Sequence, residues 1–408
     1  MVGAGRVDLA FCGQSGGFSL GYHTAIVGIG QSEFSKHLEP TEEELAVRAI
    51  LAALEDAGID AGEVDALSSF TMEATEEVAV AKNLGLGDIT FFSKIGYGGG
   101  GGCGTIGHLS LAISGGLSKV GVAWRSRKRG SGIRPWAAGP GGLRIPGSEQ
   151  VTAATWARPF GLLRPVDEIA LLTRRYMHET GATREHLAEV ALAIRANANR
   201  NPAAMMHDRT MSHDDYMNAR WISEPLCLFD NCLETDGALA VVVTSAERAK
   251  DCRRTPVYVD SFAQAIPQQH HHMVNFWAED PIGAPARACA TALWRQSELT
   301  PHDIDVVQIY DAFTPLVLIS LENYGFCGRG EAPSFIEGGT IRHGGKLPVN
   351  TSGGGLSEAY VHGMNLITEG VRQMRGESTA QVTDATSCLV TSGEGVPTSA
   401  LILRTEES

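Results

Sequence analysis

Two tyrosines occupy the runs in this 408-residue chain where proton chemistry could be centred. Tyr310 lies in Val306-Val307-Gln308-Ile309-Tyr310-Asp311-Ala312-Phe313, and Tyr360 ten residues after Asn350, in the run Asn350-Thr351-Ser352-Gly353-Gly354-Gly355-Leu356-Ser357-Glu358-Ala359-Tyr360-Val361-His362-Gly363. A phenol can donate a proton or a hydrogen bond. Its ordinary pKa of about 10 means that base chemistry near neutral pH needs positive charge or donors beside the oxygen. Taken singly, a tyrosine that follows a strand is more often a packing residue. Asp311 could polarise Tyr310, although capping the next helix is the plainer reading. Glu358 and His362 flank Tyr360 and could tune it, but as a surface-loop pair they need no such role.

Other chemistry-bearing residues read as structural. Eight cysteines are scattered with no Cys-x-x-Cys pair, which argues against a zinc site and for reduced, mostly buried thiols in a cytoplasm. Cys103 lies beside a glycine run but about one turn inside the helix expected there, and reads as a buried thiol. Consecutive side chains such as His270-His271-His272 point in different directions, so they suggest a polar loop and no metal is expected. Arg125, Arg127, Lys128, Arg129 and Arg134 form a dense basic cluster that either meets a phosphate-bearing ligand or is simply solvated. The runs Gly98 to Gly102 and Gly353-Gly354-Gly355 each stand between a strand and a helix, which suggests tight turns with N–H groups aimed at a ligand oxygen.

The elements that must position these residues come twice. His23 to Gly30 is an apolar strand, followed by a helix opened by Thr41 with Glu44 three residues on and closed by Gly58. Ile59 to Leu67 feeds a second strand; the glycine turn, a helix and the strand Val120 to Trp124 follow. Pro256 to Asp260 starts the same order again, with a helix from Ala286 to Leu299. Leu299 to Val307 then repeats the earlier loop and strand, before Gly353-Gly354-Gly355, a helix through Gly370 and the strand Ser387 to Val390. Such alternation implies layered α/β packing, and its repetition a duplicated unit. Between the halves, an insertion from about 125 to 221 holds helices near Pro165–Glu179 and Thr183–Asn199; Asp236 to Val243 then returns as a buried strand.

Composition sets outer limits. Hydrophobic content of 43% and charged content of 20% describe a soluble globular chain. A formal charge of -14 argues against nucleic acid and anionic membrane surfaces as ligands, so an anionic substrate needs a local basic patch. No apolar run reaches the roughly 20 residues of a membrane span. Residues 1–22 lack the pattern of a secretory signal and read as a loose leader.

The ordered set of runs resembles the thiolase superfamily, closest to its sterol-carrier-type branch, from His23 to Arg404. The resemblance rests on Ala25-Ile26-Val27-Gly28-Ile29-Gly30, the Asp236-Gly237-Ala238 run, Tyr310-Asp311-Ala312-Phe313 and Asn350-Thr351-Ser352-Gly353-Gly354. It implies an α/β fold, the duplicated five-layer α/β/α/β/α thiolase sandwich with a helical loop-domain insertion: halves at 23–255 and 256–408, and a homodimer through the first-half sheet. The departures are chemical. The superfamily's His-Asp run carries Tyr310 here, and the place of its Gly-His-Pro reads Ala359-Tyr360-Val361. Its nucleophilic cysteine falls at Gly99, and its second cysteine at Ser392, next to Gly393.

This pattern is similar to the thiolase-fold aldolases of actinobacteria that trim steroid side chains with two tyrosines and no cysteine. The resemblance implies retro-aldol cleavage of a β-hydroxyacyl-CoA, a 17-hydroxy steroid C22 side-chain thioester giving a 17-ketosteroid and propionyl-CoA. Tyr310 and Tyr360 would be catalytic, with Gly99, Gly353, Gly354, Ser392 and Gly393 near substrate or CoA. No cofactor is implied beyond the CoA of the substrate, and the implied partner is a small OB-fold, zinc-ribbon acyl-CoA-associated protein. Retro-aldol scission needs a base for the hydroxyl, donors for the enolate oxygen and an acid for its carbon, and forms no acyl-enzyme. One assignment has Tyr360 take the hydroxyl proton and Tyr310 return one to the enolate; the exchanged roles fit as well. A cysteine-dependent acyltransferase and a non-catalytic lipid-transfer or scaffold protein are the alternatives.

Overall fold

The computed structural model describes residues 23–70, 73–132, 157–267, 278–394 and 396–406. The leader, Arg134 and the three consecutive histidines lie outside the described residues. The described residues form eleven strands: β1 Thr24–Gln31, β2 Ala66–Phe70, β3 Phe91–Ile95, β4 Val120–Lys128, β5 Trp221–Ser223, β6 Leu226–Cys227, β7 Asp236–Ser245, β8 Val257–Ala265, β9 Val306–Gln308, β10 Ser387–Ser392 and β11 Thr398–Arg404. Nine run in the order β3-β2-β4-β7-β1-β8-β11-β10-β9, while β5 and β6 form a separate hairpin.

The sheet reads outward from its centre in two matching directions. β1 is followed by antiparallel β7, antiparallel β4, then parallel β2; β8 is followed by antiparallel β11, antiparallel β10, then parallel β9. The halves meet along β1 and β8, through Ala25↔Tyr258 and Ile26↔Val257.

Helices complete the layers. Glu42–Ala57 packs on β1, β4 and β7, and Ala284–Trp294 on β8 and β11. Between the halves lie Gly102–Ser114 and Met364–Arg375, each touching strands of both. Outer helices need one apolar stripe, and Glu42–Ala57 buries Leu45, Ala46, Ala49, Ile50, Ala53 and Leu54. It is capped by Thr41, whose hydroxyl accepts from the Glu44 amide at 3.1 Å, and closed by Gly58 at φ 72°. The middle helices are buried on nearly every side, as a helix between two apolar surfaces must be.

The insertion helices are Pro165–Thr180 and Arg184–Ala198, the second packed against a turn at Gly354–Glu358. That turn is where the structure departs from sequence expectation. The Gly353 run does not open a continuous helix. Glu358 and Ala359 amides donate five residues back to Gly353 and Gly354 at 3.0 and 3.2 Å, forming one wide turn. The chain then extends through Ala359 and Tyr360, and the helix begins only at Met364. No helix among the described residues is long and apolar enough to cross a membrane.

Candidate active site

The extended stretch after the wide turn places Tyr360 against Tyr310. Their phenol oxygens are in direct hydrogen-bond contact, and the rings sit 6.1 Å apart at 54°. Both residues are buried, 7% and 6% exposed, so the contact belongs to the interior. Backbone anchors fix each one. The Tyr310 amide donates to Thr391 Oγ1 at 3.0 Å, and the Tyr360 amide to Thr235 Oγ1 at 3.0 Å. Asn350 at φ 49° imitates a neighbouring strand, with Oδ1 accepting from the Ile309 amide at 2.7 Å and Nδ2 donating to the Ile309 carbonyl at 2.8 Å.

Missing side chains make the room. A Cβ on Gly99 would lie 2.0 Å from Tyr310 Oη and 2.3 Å from its Cζ, far inside contact distance. The Tyr310 phenol therefore fills the space a side chain at position 99 would need. A Cβ on Gly355 would meet Tyr360 Cδ2 at 2.9 Å.

The remaining glycine and serine candidates act as braces. Ser392 Oγ accepts from the Cys103 amide at 2.8 Å, and Ser399 Oγ from the Gly104 amide at 2.9 Å, so these first-turn amides of the middle helix are already used. Gly393, at φ 75°, packs against Gly100. Gly353, at φ 110°, starts the wide turn. Gly354 faces Asp311 and Asn350.

Asp311 corrects the capping expectation. Its carboxylate accepts from the amides of Gly355 at 2.7 Å and Leu356 at 3.2 Å, so it holds the wide turn and not the helix that follows it in sequence. Burial pushes its carboxyl up to about 6. Cys103 is fully buried, and burial pushes its thiol up to about 12, the reverse of what a nucleophile requires.

Glu358 and His362 are also buried, which overturns their reading as a surface-loop pair. Glu358 Oε2 accepts from Ser352 Oγ at 2.6 Å and Asn365 Nδ2 at 2.9 Å, and burial pushes it up to about 7. His362 stands edge-on to Tyr360, ring centroids 5.3 Å apart at 86°. Its Nδ1 faces Arg125 Nη2 at 2.5 Å and its Nε2 faces Arg129 Nη1 at 2.9 Å. Burial and these guanidinium groups hold it well below the ordinary histidine range.

The basic cluster is thus neither solvated nor one patch. Alternate residues of a strand share a face. Arg125 is fully buried with Glu73 at 3.6 Å, Arg127 lies 3.8 Å from Glu42, and Arg129, just past β4, lies 3.7 Å from Glu234. Lys128 turns away to the Leu38 carbonyl at 2.5 Å. The Arg129 guanidinium lies 4.5 Å from the Tyr360 ring centroid.

Burial pushes the Tyr310 phenol above its usual range, against the opposing pull of the Tyr360 hydrogen bond and Arg129. Burial and then the Tyr310 oxygen push Tyr360 well up, with Arg129 again opposing. The resting pair is therefore two neutral phenols. Arg129 also reaches a cavity of about 1050 Å³ whose wall includes Arg164, Arg195, Arg209, Arg220 and Cys232. Arg164, Arg195, Arg209 and Arg220, all from the insertion, supply the local basic surface that the net charge demands. Sequence reasoning missed Arg129 and Cys232 at the site. The alternation of arginines along one strand was the available signal for Arg129; nothing in the sequence around Cys232 points to the site.

The chain resembles known proteins along most of its length. Residues 267–404 match the family model Thiolase C-terminal domain-like. The 17-hydroxy-3-oxo-4-pregnene-20-carboxyl-CoA lyase of Mycobacterium tuberculosis is 46% identical over 382 residues, 93% of this chain and 98% of that protein. The steroid side-chain-cleaving aldolase of Thermomonospora curvata is 45% identical, over 93% and 97%. The solved Ltp2-ChsH2(DUF35) aldolase superposes with a TM-score of 0.90 at 44% identity, covering 95% of this chain and 98% of that one. With a duplicated sheet and 44–46% identity to these proteins over nearly the whole of both chains, this chain belongs to the steroid side-chain-cleaving aldolases of the thiolase superfamily.

Proposed function

We propose that this enzyme cleaves a 17-hydroxy steroid C22 side-chain CoA thioester into a 17-ketosteroid and propionyl-CoA, with Tyr310 and Tyr360 acting as one proton relay. The direct contact between the two phenol oxygens carries the reading. Because burial keeps both protonated, neither waits as a standing base. In one concerted transfer the substrate hydroxyl gives its proton to Tyr360 Oη, Tyr360 passes its own to Tyr310 Oη, and Tyr310 gives up its own, so that neither oxygen ever holds two protons. The electron pair of the breaking carbon–carbon bond moves onto the thioester as an enolate. The proton from Tyr310 goes to the enolate carbon slightly ahead of proton uptake from the hydroxyl, so negative charge passes through the phenol pair, and both phenols end as they began. Nothing in the cycle calls for a nucleophile or for a cofactor beyond the CoA that the substrate carries.

Arg164, Arg195, Arg209 and Arg220 would face the CoA phosphates, since guanidinium groups pair well with phosphate. Assembly extends the proposal. Among the described residues β3 is an edge of the sheet and carries Phe92 at 70% exposure, a surface suited to pairing with a second copy. The relative whose name couples Ltp2 with ChsH2(DUF35) supports a partner of that kind, which we take to be a small OB-fold, zinc-ribbon protein.

The test is release of propionyl-CoA from the C22 thioester by the full chain co-expressed with such a partner. Tyr310→Phe and Tyr360→Phe each remove one relay oxygen with little change in packing. Each is expected to lose roughly 10²–10⁴-fold in turnover, the range of a single acid–base group. Near wild-type turnover by either variant would sink the relay.

A further inference from the structure

Behind the phenol pair lies an arrangement that proton relay alone does not explain. Arg129 places its guanidinium over the face of Tyr360, 4.5 Å from the ring centroid. It is held there from several sides. Its amide donates to the Thr235 carbonyl at 3.2 Å, and the hydroxyl of the same threonine accepts from the Tyr360 amide, so one residue fixes both partners. The turn after Arg129 is pinned by Asp236, whose Oδ1 accepts from the amides of Gly130 at 2.8 Å and Ser131 at 3.0 Å. The guanidinium itself meets His362, which stands between Arg129 and Arg125. His362 has φ 51°, a left-handed conformation that costs a side-chain-bearing residue energy and is kept where the surroundings impose it. Arg125 is fixed in turn by the Phe70 carbonyl at 2.9 Å and by Glu73.

We propose that Arg129, held in place by His362, supplies the positive charge that stabilises negative charge as it develops on the tyrosine pair during proton transfer. This deepens the two-tyrosine reading and rests on it. Charge leaving a phenol oxygen spreads into the ring, so a cation over the ring face is attracted more strongly as the proton departs. In a buried site such an interaction is little weakened by solvent. His362 suits the task because it carries no charge of its own there; a protonated imidazole between two guanidinium groups would repel what it has to hold. The ionisable groups facing the pair are Arg129, Cys232 and Asp311, and those facing Arg129 are His362, Glu234 and Cys232 besides the two tyrosines. Arg125 and Arg127 face His362 with Arg129. Glu234, at 3.7 Å, partly offsets the Arg129 charge and is 30% exposed.

The experiment compares Arg129→Gln, Arg129→Lys and His362→Asn in the full chain with its partner, reading kcat and KM separately. Arg129→Gln should lower kcat about 100-fold, the size of losing one preorganised charge or donor, with little change in KM. Arg129→Lys should recover most of the loss, and His362→Asn should fall between wild type and Arg129→Gln. Arg129→Gln with wild-type kcat, a loss that appears in KM and not in kcat, or Arg129→Lys as poor as Arg129→Gln would each overturn the inference. Run beside these, Tyr310→Phe and Tyr360→Phe separate the two claims. Active phenylalanine variants remove the relay itself. Inactive ones beside an unaffected Arg129→Gln remove only the role of Arg129.

Discussion

At the residue scale, position 99 decides which chemistry the fold can hold. A thiolase-type cysteine there and the phenol of Tyr310 compete for one volume, because even a Cβ at 99 would come within 2.0 Å of Tyr310 Oη. Gly99→Ala should therefore push the phenol out of the relay while leaving its chemical identity intact. Turnover is expected to fall at least as far as in Tyr310→Phe, roughly 10²-fold or more. Thermal stability should drop by about 1–3 kcal/mol through overpacking. Kinetics and thermal unfolding of Gly99→Ala would check both, and a variant as active as wild type would show that Tyr310 has space to spare. The tyrosines themselves were legible in the sequence only through their places in two superfamily runs. Their contact was not legible, because it depends on glycines at 99 and 355 that look like ordinary turn residues.

At the scale of elements, the wide turn Gly354–Glu358 positions Tyr360, and its interior is built from groups that depend on protonation. Glu358, buried among Ser352, Asn365 and Asn201, is pushed up to about 7 from an ordinary value of 4.5. A carboxyl raised on folding contributes stability that is fully present below its unfolded value. That contribution is lost as pH rises towards the folded one. Wild type is accordingly expected to lose up to roughly 3 kcal/mol from this group between pH about 4.5 and about 7. Glu358→Gln, which has no proton to lose, should be less stable than wild type at about pH 5 and more stable at about pH 8. Thermal unfolding of both proteins across that range is the check, and parallel curves would mean that Glu358 is charged in the native state. Strands and outer helices were legible because periodicity and capping are local signals; Thr41 and Gly58 bound the first helix as read. The wide turn was not, because glycine runs fit many turns, and what selects this one is Asp311, 44 residues away along the chain.

At the scale of the whole molecule, duplication brings chemistry from distant segments to the seam between the two halves. Thr235 and Arg129 reach it from the first half, Tyr310, Tyr360 and His362 from the second, and the insertion helix Arg184–Ala198 backs the turn that carries Tyr360. The repeated strand order made the architecture readable from sequence. The function of the basic cluster was not readable, since a run of charges says nothing about which members face inward. In the fold, Arg125 is in the core, Arg129 is at the site and Lys128 is turned to a backbone carbonyl.

Cys232 has a practical consequence. It lines the cavity beside Arg129, and its thiol, pushed up to about 12 by burial, reacts only slowly near neutral pH. Prolonged treatment with an alkylating reagent should nevertheless block the cavity and abolish activity, although sulfur takes no part in the reaction. Inactivation by iodoacetamide, a common diagnostic for thiol enzymes, would thus misclassify this one. The same treatment of Cys232→Ser should leave turnover intact, and mass spectrometry of the wild type should find the adduct at position 232 and not at Cys103.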